Sequence, residues 1–519
     1  MMQTTSADLL PRTKYSGLAL AALAGAAVMV VELGVARVLT PVFGGSIMVW
    51  AIVIATTMLA LAAGYAVGGY LADRRGGIRV ATGAALIGAL LCAAVPFMRI
   101  PLIEATIDLS TLNGATLMAL ALIAPTLFFL SQVSPALIRG LSADGVSHVG
   151  VTAGGIYALS TLGSLVGTLG AVWLFLYMPI TLGFIGMALL VTVPALFLWP
   201  LPGGVVAAVL VVVMGLQLNA GAGERISGVN SYKTRCEVIY KGHSPYGELR
   251  VVDEGADYRY LLVNGKDQGG IDRHTGKSAY RYTDGMIGLA HMYVRKPRQV
   301  LVIGLGAGQI PPVLEAAGME VEVVEIDPEV VRLAREYFGF QGTAVVADGR
   351  RFLQRSDKHW DVIMVDAYLG SSPPWQLFTR EAFALYRERL NPGGAVVINF
   401  IGSHLEAAQR PALEAVVATA RTAFPVVETY PDPKEPDDYP TRNIYIVATT
   451  GARLEPRQAG DPVSAPSLLA ALSRMEPITV RDGYLLTDEA APLEPLVRRT
   501  AEHLRHQSRD FLPMNVQYF

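Results

Sequence analysis

Hydrophobic positions follow two rhythms along the chain. Up to about residue 222 they run as apolar blocks, at 16–40, 47–72, 80–98, 114–138, 150–178, 180–199 and 203–220. Each block approaches the roughly 20 residues a helix needs to cross a hydrocarbon core. The pattern predicts a polytopic α-helical membrane domain over 1–222 with about seven spans. The first block is too long for a cleavable leader and is followed by further spans, so it is expected to remain in the protein.

Beyond residue 223 the apolar runs shorten and alternate. Glu248–Val252 and Tyr258–Val263, separated by Gly and Asp, read as hairpin strands. A small β-hairpin domain is expected over 223–297. From 298 to 519, strands and amphipathic helices take turns. Val300–Ile303 runs into a turn carrying Gly304, Gly306 and Gly308; Val321–Asp327 and Asp361–Asp366 are strands that finish on acids; Asn391-Pro392-Gly393-Gly394 turns into Ala395–Ile398. Such alternation predicts an α/β Rossmann-like domain with a mostly parallel sheet.

Charge sharpens this division. Residues 1–222 hold only 14 of the chain's 86 charged side chains, in a protein that is 52% hydrophobic and 17% charged. The net charge of -2 gives no basic excess of the kind nucleic-acid surfaces carry, so no nucleic acid is expected. Cys92 and Cys236 make neither a disulfide framework nor a metal cluster, and no metal is expected. Arg12, Lys14, Arg74, Arg75, Arg79 and Arg139 fall on one side if spans alternate, which the positive-inside rule makes cytoplasmic. Seven spans would then place the C-terminal part outside, whereas a ribose-bearing ligand, which the glycine turn after Ile303 and the strand-end acid Glu325 predict, belongs to the cytosol. The expectation adopted is a multi-pass protein of the cell inner membrane, with the lipid bilayer as a partner and the C-terminal domain cytoplasmic. Within the spans, Glu32 and Arg37 are read as an interhelical or interfacial salt bridge. Gly64, Gly68 and Gly69, and Gly163, Gly167 and Gly170, are read as small faces for close helix packing.

Candidate chemistry gathers at the strand ends. Glu325 closes the second strand of the α/β part, where a carboxylate accepts both hydroxyls of a ribose. The glycine turn lets backbone approach a ligand, and the absence of a Walker-type lysine argues against a triphosphate. Taken in order, Ser244-Pro245-Tyr246, Asn264-Gly265-Lys266-Asp267-Gln268, the Gly304–Gly308 turn, Glu325-Ile326-Asp327, Ala347-Asp348-Gly349-Arg350, Val365-Asp366, Leu377-Phe378-Thr379 and Asn391–Gly394 make up a specific arrangement. In it the chain resembles the spermidine synthase (polyamine aminopropyltransferase) family over about residues 244–450, and its membrane-fused bacterial branch over nearly all its length. The resemblance implies a sulfonium nucleoside as co-substrate, either S-adenosylmethionine or its decarboxylated form. Gln268, Gly304, Gly306, Gly308, Glu325, Asp327, Asp348, Gly349 and Asp366 would hold it. Asp366, Tyr282 and Asp284 are the catalytic candidates. Tyr246, Tyr368 and Trp375 are candidates for the acceptor, a small-molecule amine or a membrane-associated molecule.

Two positions depart from the family pattern. Ala307 stands in the glycine turn, and Leu369 three residues after Asp366, where the family carries aspartates that hold the donor's amine and deprotonate the attacking one. An attacking nitrogen needs a base because an ammonium has no lone pair. Losing the acid at 307 also removes repulsion against a donor that keeps its own carboxylate. Arg273 and Lys277 are read as solvated loop charges. Transfer of an aminopropyl group to an amine is the expected reaction. The alternatives are methyl transfer, aminocarboxypropyl transfer or cleavage of the donor, and, from another class, a non-catalytic membrane sensor or transporter. A homo-oligomer is left open.

Overall fold

The computed structural model describes residues 6–142, 149–177, 180–199, 226–368, 370, 372–432, 441–451 and 476–518. The chain divides into two compact units, Met1–Glu224 and Arg225–Phe519.

Among the described residues the first unit holds six helical stretches long and apolar enough to cross a membrane: Thr13–Phe43, Ile47–Arg75, Gly77–Thr106, Thr111–Leu141, Val149–Phe175 and Ile180–Leu198. The apolar block at 203–220 lies outside the described residues. Small residues set the closest crossings. A Cβ on Gly163 would sit 1.9 Å from the carbonyl oxygen of Ala22, and one on Gly167 2.6 Å from the Cα of Ala26, so the fifth stretch lies directly on the first. Gly64 and Gly68 likewise meet Phe128, Ser131 and Gln132, whereas Gly170 faces open space. Leu162, Leu165, Val166, Leu169 and Trp173 recur at helical spacing and are each more than half exposed. An apolar stripe of that size is stable against lipid and costly against water. Glu32 is buried inside the unit, Arg37 donates to the carbonyl of Phe175, and Arg139 pairs with Asp73 at 2.9 Å.

The second unit opens with a five-stranded antiparallel meander of β1 (Ser227–Val229), β2 (Arg235–Ser244), β3 (Gly247–Glu254), β4 (Tyr258–Val263) and β5 (Lys266–Asp272). A seven-stranded sheet follows, built from β6 (Gln299–Ile303), β7 (Glu320–Glu325), β8 (Ala344–Val346), β9 (Trp360–Val365), β10 (Leu390–Gly402), β11 (Val426–Pro431) and β12 (Arg442–Thr449), in the order β11-β12-β10-β9-β6-β7-β8. Strands β8, β7, β6, β9 and β10 pair in parallel, and β12 runs antiparallel to both its neighbours. This is a Rossmann-like, methyltransferase-type sheet. The central strands β6 and β9 carry the unbroken apolar runs Val300–Ile303 and Val362–Val365, because both faces are covered there.

The expected boundary at 297/298 does not separate two cores. Leu249, Val251 and Leu261 of the meander share one cluster with Met286 and Leu289 of helix Tyr282–Tyr293 and with Val300 and Val302 of β6. The C-terminal helices return to the meander as well: Leu512 and Val516 pack on Cys236, Val238, Val252 and Leu262. Arg250, almost wholly buried, donates to the carbonyl of Val516 at 2.7 Å. The unit is therefore one body whose first and last segments are interleaved.

Candidate functional site

The order of the second sheet fixes where a ligand fits. The chain leaves β6 towards β7 and β8, then returns to β9 on the other side of β6. Ligands of doubly wound sheets lie at such a switch point, outside the carboxyl ends of the strands. Four predicted residues stand there: Gly304 after β6, Glu325 at the end of β7, Asp348 after β8 and Asp366 after β9.

The glycine turn is shaped by crowding. Gly304 has φ +97, and a Cβ there would lie 2.1 Å from the carbonyl oxygen of Asp366, so only glycine lets the ends of β6 and β9 come together. A Cβ on Gly306 would lie 2.5 Å from the carbonyl oxygen of Gln268. The other two glycines serve packing. Gly308 meets the ring of Phe340, and Gly349 would press its Cβ to 2.5 Å from Cγ2 of Ile303.

Glu325 is buried and tightly held. Oε2 accepts the N–H of Leu305 and Oε1 the N–H of Asp327, both at 2.9 Å. Each oxygen keeps a second lone pair, which suits the two hydroxyls of a ribose. Burial raises the carboxyl above its usual range, and the two N–H donors oppose that. Asp327 serves the fold: Oδ1 caps the helix Pro328–Phe338 at the N–H of Glu329, and Oδ2 accepts the Ser244 hydroxyl at 2.5 Å. Asp348 is exposed and caps the helix Gly349–Arg355 through the N–H of Arg351 at 2.8 Å.

Asp366 lies at the centre of a second cluster. Tyr282 donates to its Oδ2 at 3.0 Å and Asn399 of β10 to its Oδ1 at 2.9 Å. Burial raises the Asp366 carboxyl, and these two donors pull it back. The Tyr282 phenol is pushed well above its usual range, first by burial and then by Asp366, so it remains a donor at neutral pH. Asn399 is buried, and its Oδ1 has no hydrogen-bond partner among the described residues. A buried acceptor without a donor, beside a carboxylate, fits the N–H of an amine. Asn399 was missed because one asparagine inside a strand carries no motif.

Several assignments change with the geometry. Asp284 lies two positions after Tyr282, hence on another face of the same helix, where Lys277 and Arg281 oppose the effect of its burial. It does not join the Asp366 cluster. The Tyr246 phenol is raised by burial and then by the Asp327, Asp348 and Glu325 carboxylates, which puts it near the ends of β7 and β8. Tyr368 accepts the N–H of Ile401 at 2.5 Å, which ties the loop after β9 to β10. Trp375 packs on the core containing Phe378 and Phe383. Gln268 donates to the carbonyl oxygen of Gly370 at 3.2 Å. Arg273 pairs with Asp253 at 3.3 Å, and Lys277 is exposed. Leu369 lies outside the described residues. Ala307 is buried against Gly269.

Residues 279–431 match the family described as spermine/spermidine synthase domain. An N-terminal histidine N-methyltransferase of Emericella nidulans is 32% identical over 170 residues, covering 31% of this chain and 30% of that protein. Polyamine aminopropyltransferase 2 of Pseudomonas aeruginosa is 30% identical over 213 residues, covering 38% of this chain and 58% of that protein. The chain thus spans between 30% and 58% of the length of these two relatives. The solved structure of a probable spermidine synthase from Corynebacterium glutamicum aligns over 50% of this chain and 95% of its own, at 18% identity and a TM-score of 0.37.

Proposed function

We propose, from the spermine/spermidine synthase domain carried by residues 279–431, that the protein is a membrane-bound transferase moving an alkyl group from a sulfonium nucleoside to an amine. Aminopropyl transfer from decarboxylated S-adenosylmethionine is the favoured reaction. The observation that carries the reading is the pair of carboxylates at the switch point. Glu325, gripped by two backbone N–H groups, faces the nucleoside, and Asp366, with the unpartnered Oδ1 of Asn399 beside it, faces an amine.

The substitution itself asks little of the protein. Sulfur, carbon and nitrogen are held in line, and a proton leaves the attacking nitrogen. Asp366 balances a positive charge on the donor's tail, oriented by Tyr282 and Asn399. Glu325 and the turn at Gly304 and Gly306 fix the nucleoside end, so that the reacting carbon is presented between the two.

A second reading uses intact S-adenosylmethionine. Ala307 favours it: where the family places an acid, a small buried apolar side chain stands, and a donor's own carboxylate meets no repulsion there. A non-catalytic sensor is the rival outside enzymes. Mass spectrometry of the nucleoside product after incubation with each donor and 1,4-diaminobutane separates the three. Methylthioadenosine supports alkyl-chain transfer, S-adenosylhomocysteine methyl transfer, and bound but unchanged donor a sensor. The six apolar stretches support reading the protein as membrane-bound, and the proposal puts the catalytic unit on the cytoplasmic side, where the donor is made.

A further inference from the structure

The meander sheet carries an irregularity at its last strand. Leu261 of β4 pairs with Gly269 and the next residue, Leu262, with Asp267, so Gln268 is an extra residue in β5. A bulge of this kind breaks the pleat and re-aims the side chains around it. The bulge lies on the glycine turn: Gly306 abuts the Gln268 carbonyl, and a Cβ on Gly269 would be 3.1 Å from that of Ala307. Gln268 also reaches the carbonyl oxygen of Gly370, past Asp366. The bulge thus touches both loops that frame the Asp366 cluster.

Asp267 is the acid that this bulge presents. Its Oδ1 accepts the N–H of Gly269 at 2.9 Å, and its Oδ2 accepts the Tyr280 hydroxyl. No lysine, arginine or histidine forms an ion pair with it among the described residues. The groups facing it are Tyr260 on β4, Tyr280 before the helix Tyr282–Tyr293, and Tyr282, whose phenol feels both Asp267 and Asp366. A carboxylate held by one phenol and one backbone N–H, with no cation paired to it among the described residues, can take up a positive charge or a proton.

We propose that Asp267 is the base for the attacking amine in this chain, supplying from β5 the carboxylate that Leu369 does not. The inference rests on the transferase reading and deepens it: the acceptor arrives as an ammonium. Asp267 takes one N–H proton. The freed lone pair forms the new C–N bond to the carbon on the sulfonium, and the C–S bond breaks with its electron pair left on sulfur. The product is a neutral thioether nucleoside and an alkylated ammonium; the proton on Asp267 passes to water. Burial pushes the Asp267 carboxyl up to about 7, the range in which one group both accepts and releases a proton near neutrality.

The test uses the full-length protein in lipid nanodiscs, decarboxylated S-adenosylmethionine as donor, 1,4-diaminobutane as acceptor and release of methylthioadenosine as readout. The wild type is expected to gain kcat/KM as pH rises, with a midpoint near 7. Asp267→Asn is expected to lose about 100-fold or more of that rate, and the pH step with it, while methylthioadenosine binding stays within about threefold. Tyr280→Phe removes a donor from the carboxylate and is expected to move the midpoint to higher pH, which a purely structural tyrosine would not do. An Asp267→Asn protein that binds methylthioadenosine and keeps the wild-type rate and pH step overturns the inference and leaves the transferase reading standing. An unmoved midpoint in Tyr280→Phe also overturns the inference. Asp366→Asn is the control: loss of product there with Asp267→Asn unaffected isolates the failure to Asp267. Absence of any nucleoside product from the wild type overturns both readings.

Discussion

The hydroxyl of Tyr282 donates to Oδ2 of Asp366 at 3.0 Å, joining the first turn of a helix that follows the meander to the end of β9 in the parallel sheet. The residues are 84 positions apart. Because the phenol is held protonated and Asp366 is also bound by Asn399, the carboxylate is held in one orientation.

Tyr282→Phe keeps the ring and removes that donor. A hydrogen bond to a charged group is worth about 1.5–3 kcal/mol, so alkyl transfer should fall about tenfold or more. The Asp366 carboxyl, already raised by burial, should rise further. Its charged form is then lost at a higher pH as the solution is acidified. Steady-state rates across pH should therefore show the acid limb of the profile moved upward.

Glu325→Gln tests the nucleoside end. One oxygen becomes an NH2 group facing the N–H of either Leu305 or Asp327, and the charge that accepts the ribose is lost. Methylthioadenosine affinity measured by calorimetry should drop about tenfold or more. Unchanged affinity would remove Glu325 from the site.

Lys266 bears on stability rather than chemistry. It is buried, with Nζ 3.1 Å from the Tyr518 hydroxyl, and burial followed by the Arg505 charge lowers its ammonium to about 7. Between about 7 and its ordinary value the unfolded chain binds the extra proton, so this group's contribution to stability rises with pH across that window. Lys266→Met should raise the unfolding midpoint, by the equivalent of about 1 kcal/mol or more, and the gain should be larger at pH 7 than at pH 9.5. Thermal melts at the two pH values check both the sign and the order.

Topology gives a separate prediction. A reporter fused after Phe519 should behave as cytoplasmic. Periplasmic activity would remove the donor hypothesis, since the donor is not expected on that side.

Much of the second sheet was legible because its strands are apolar runs that stop at a glycine or an acid. Gly304, Glu325 and Asp366 could be placed from that punctuation. Tyr246, Tyr368 and Trp375 could not be sorted, because an aromatic residue in a loop looks the same whether it meets a ligand, a backbone N–H or a core. Asp284 and Tyr282 were both candidates, and the helix turns the two residues to different faces. Asp267 stayed hidden within a quoted motif. Its direction depends on the bulge at Gln268, and that depends on pairing with β4. The return of Leu512 and Val516 to the meander is a non-local packing event with no local signal. In the first unit the apolar blocks were plain, whereas the contact of Gly163 with Ala22 required knowing which helices cross.

The most direct test of the central claim follows the transferred carbon. The full-length protein is given decarboxylated S-adenosylmethionine labelled with carbon-13 in the aminopropyl chain, together with 1,4-diaminobutane, and both products are read by mass spectrometry. The account predicts label in the amine, unlabelled methylthioadenosine as the nucleoside product, and loss of both in Asp366→Asn. Label that stays with the nucleoside, or an Asp366→Asn protein that transfers it as fast as the wild type, would contradict the account.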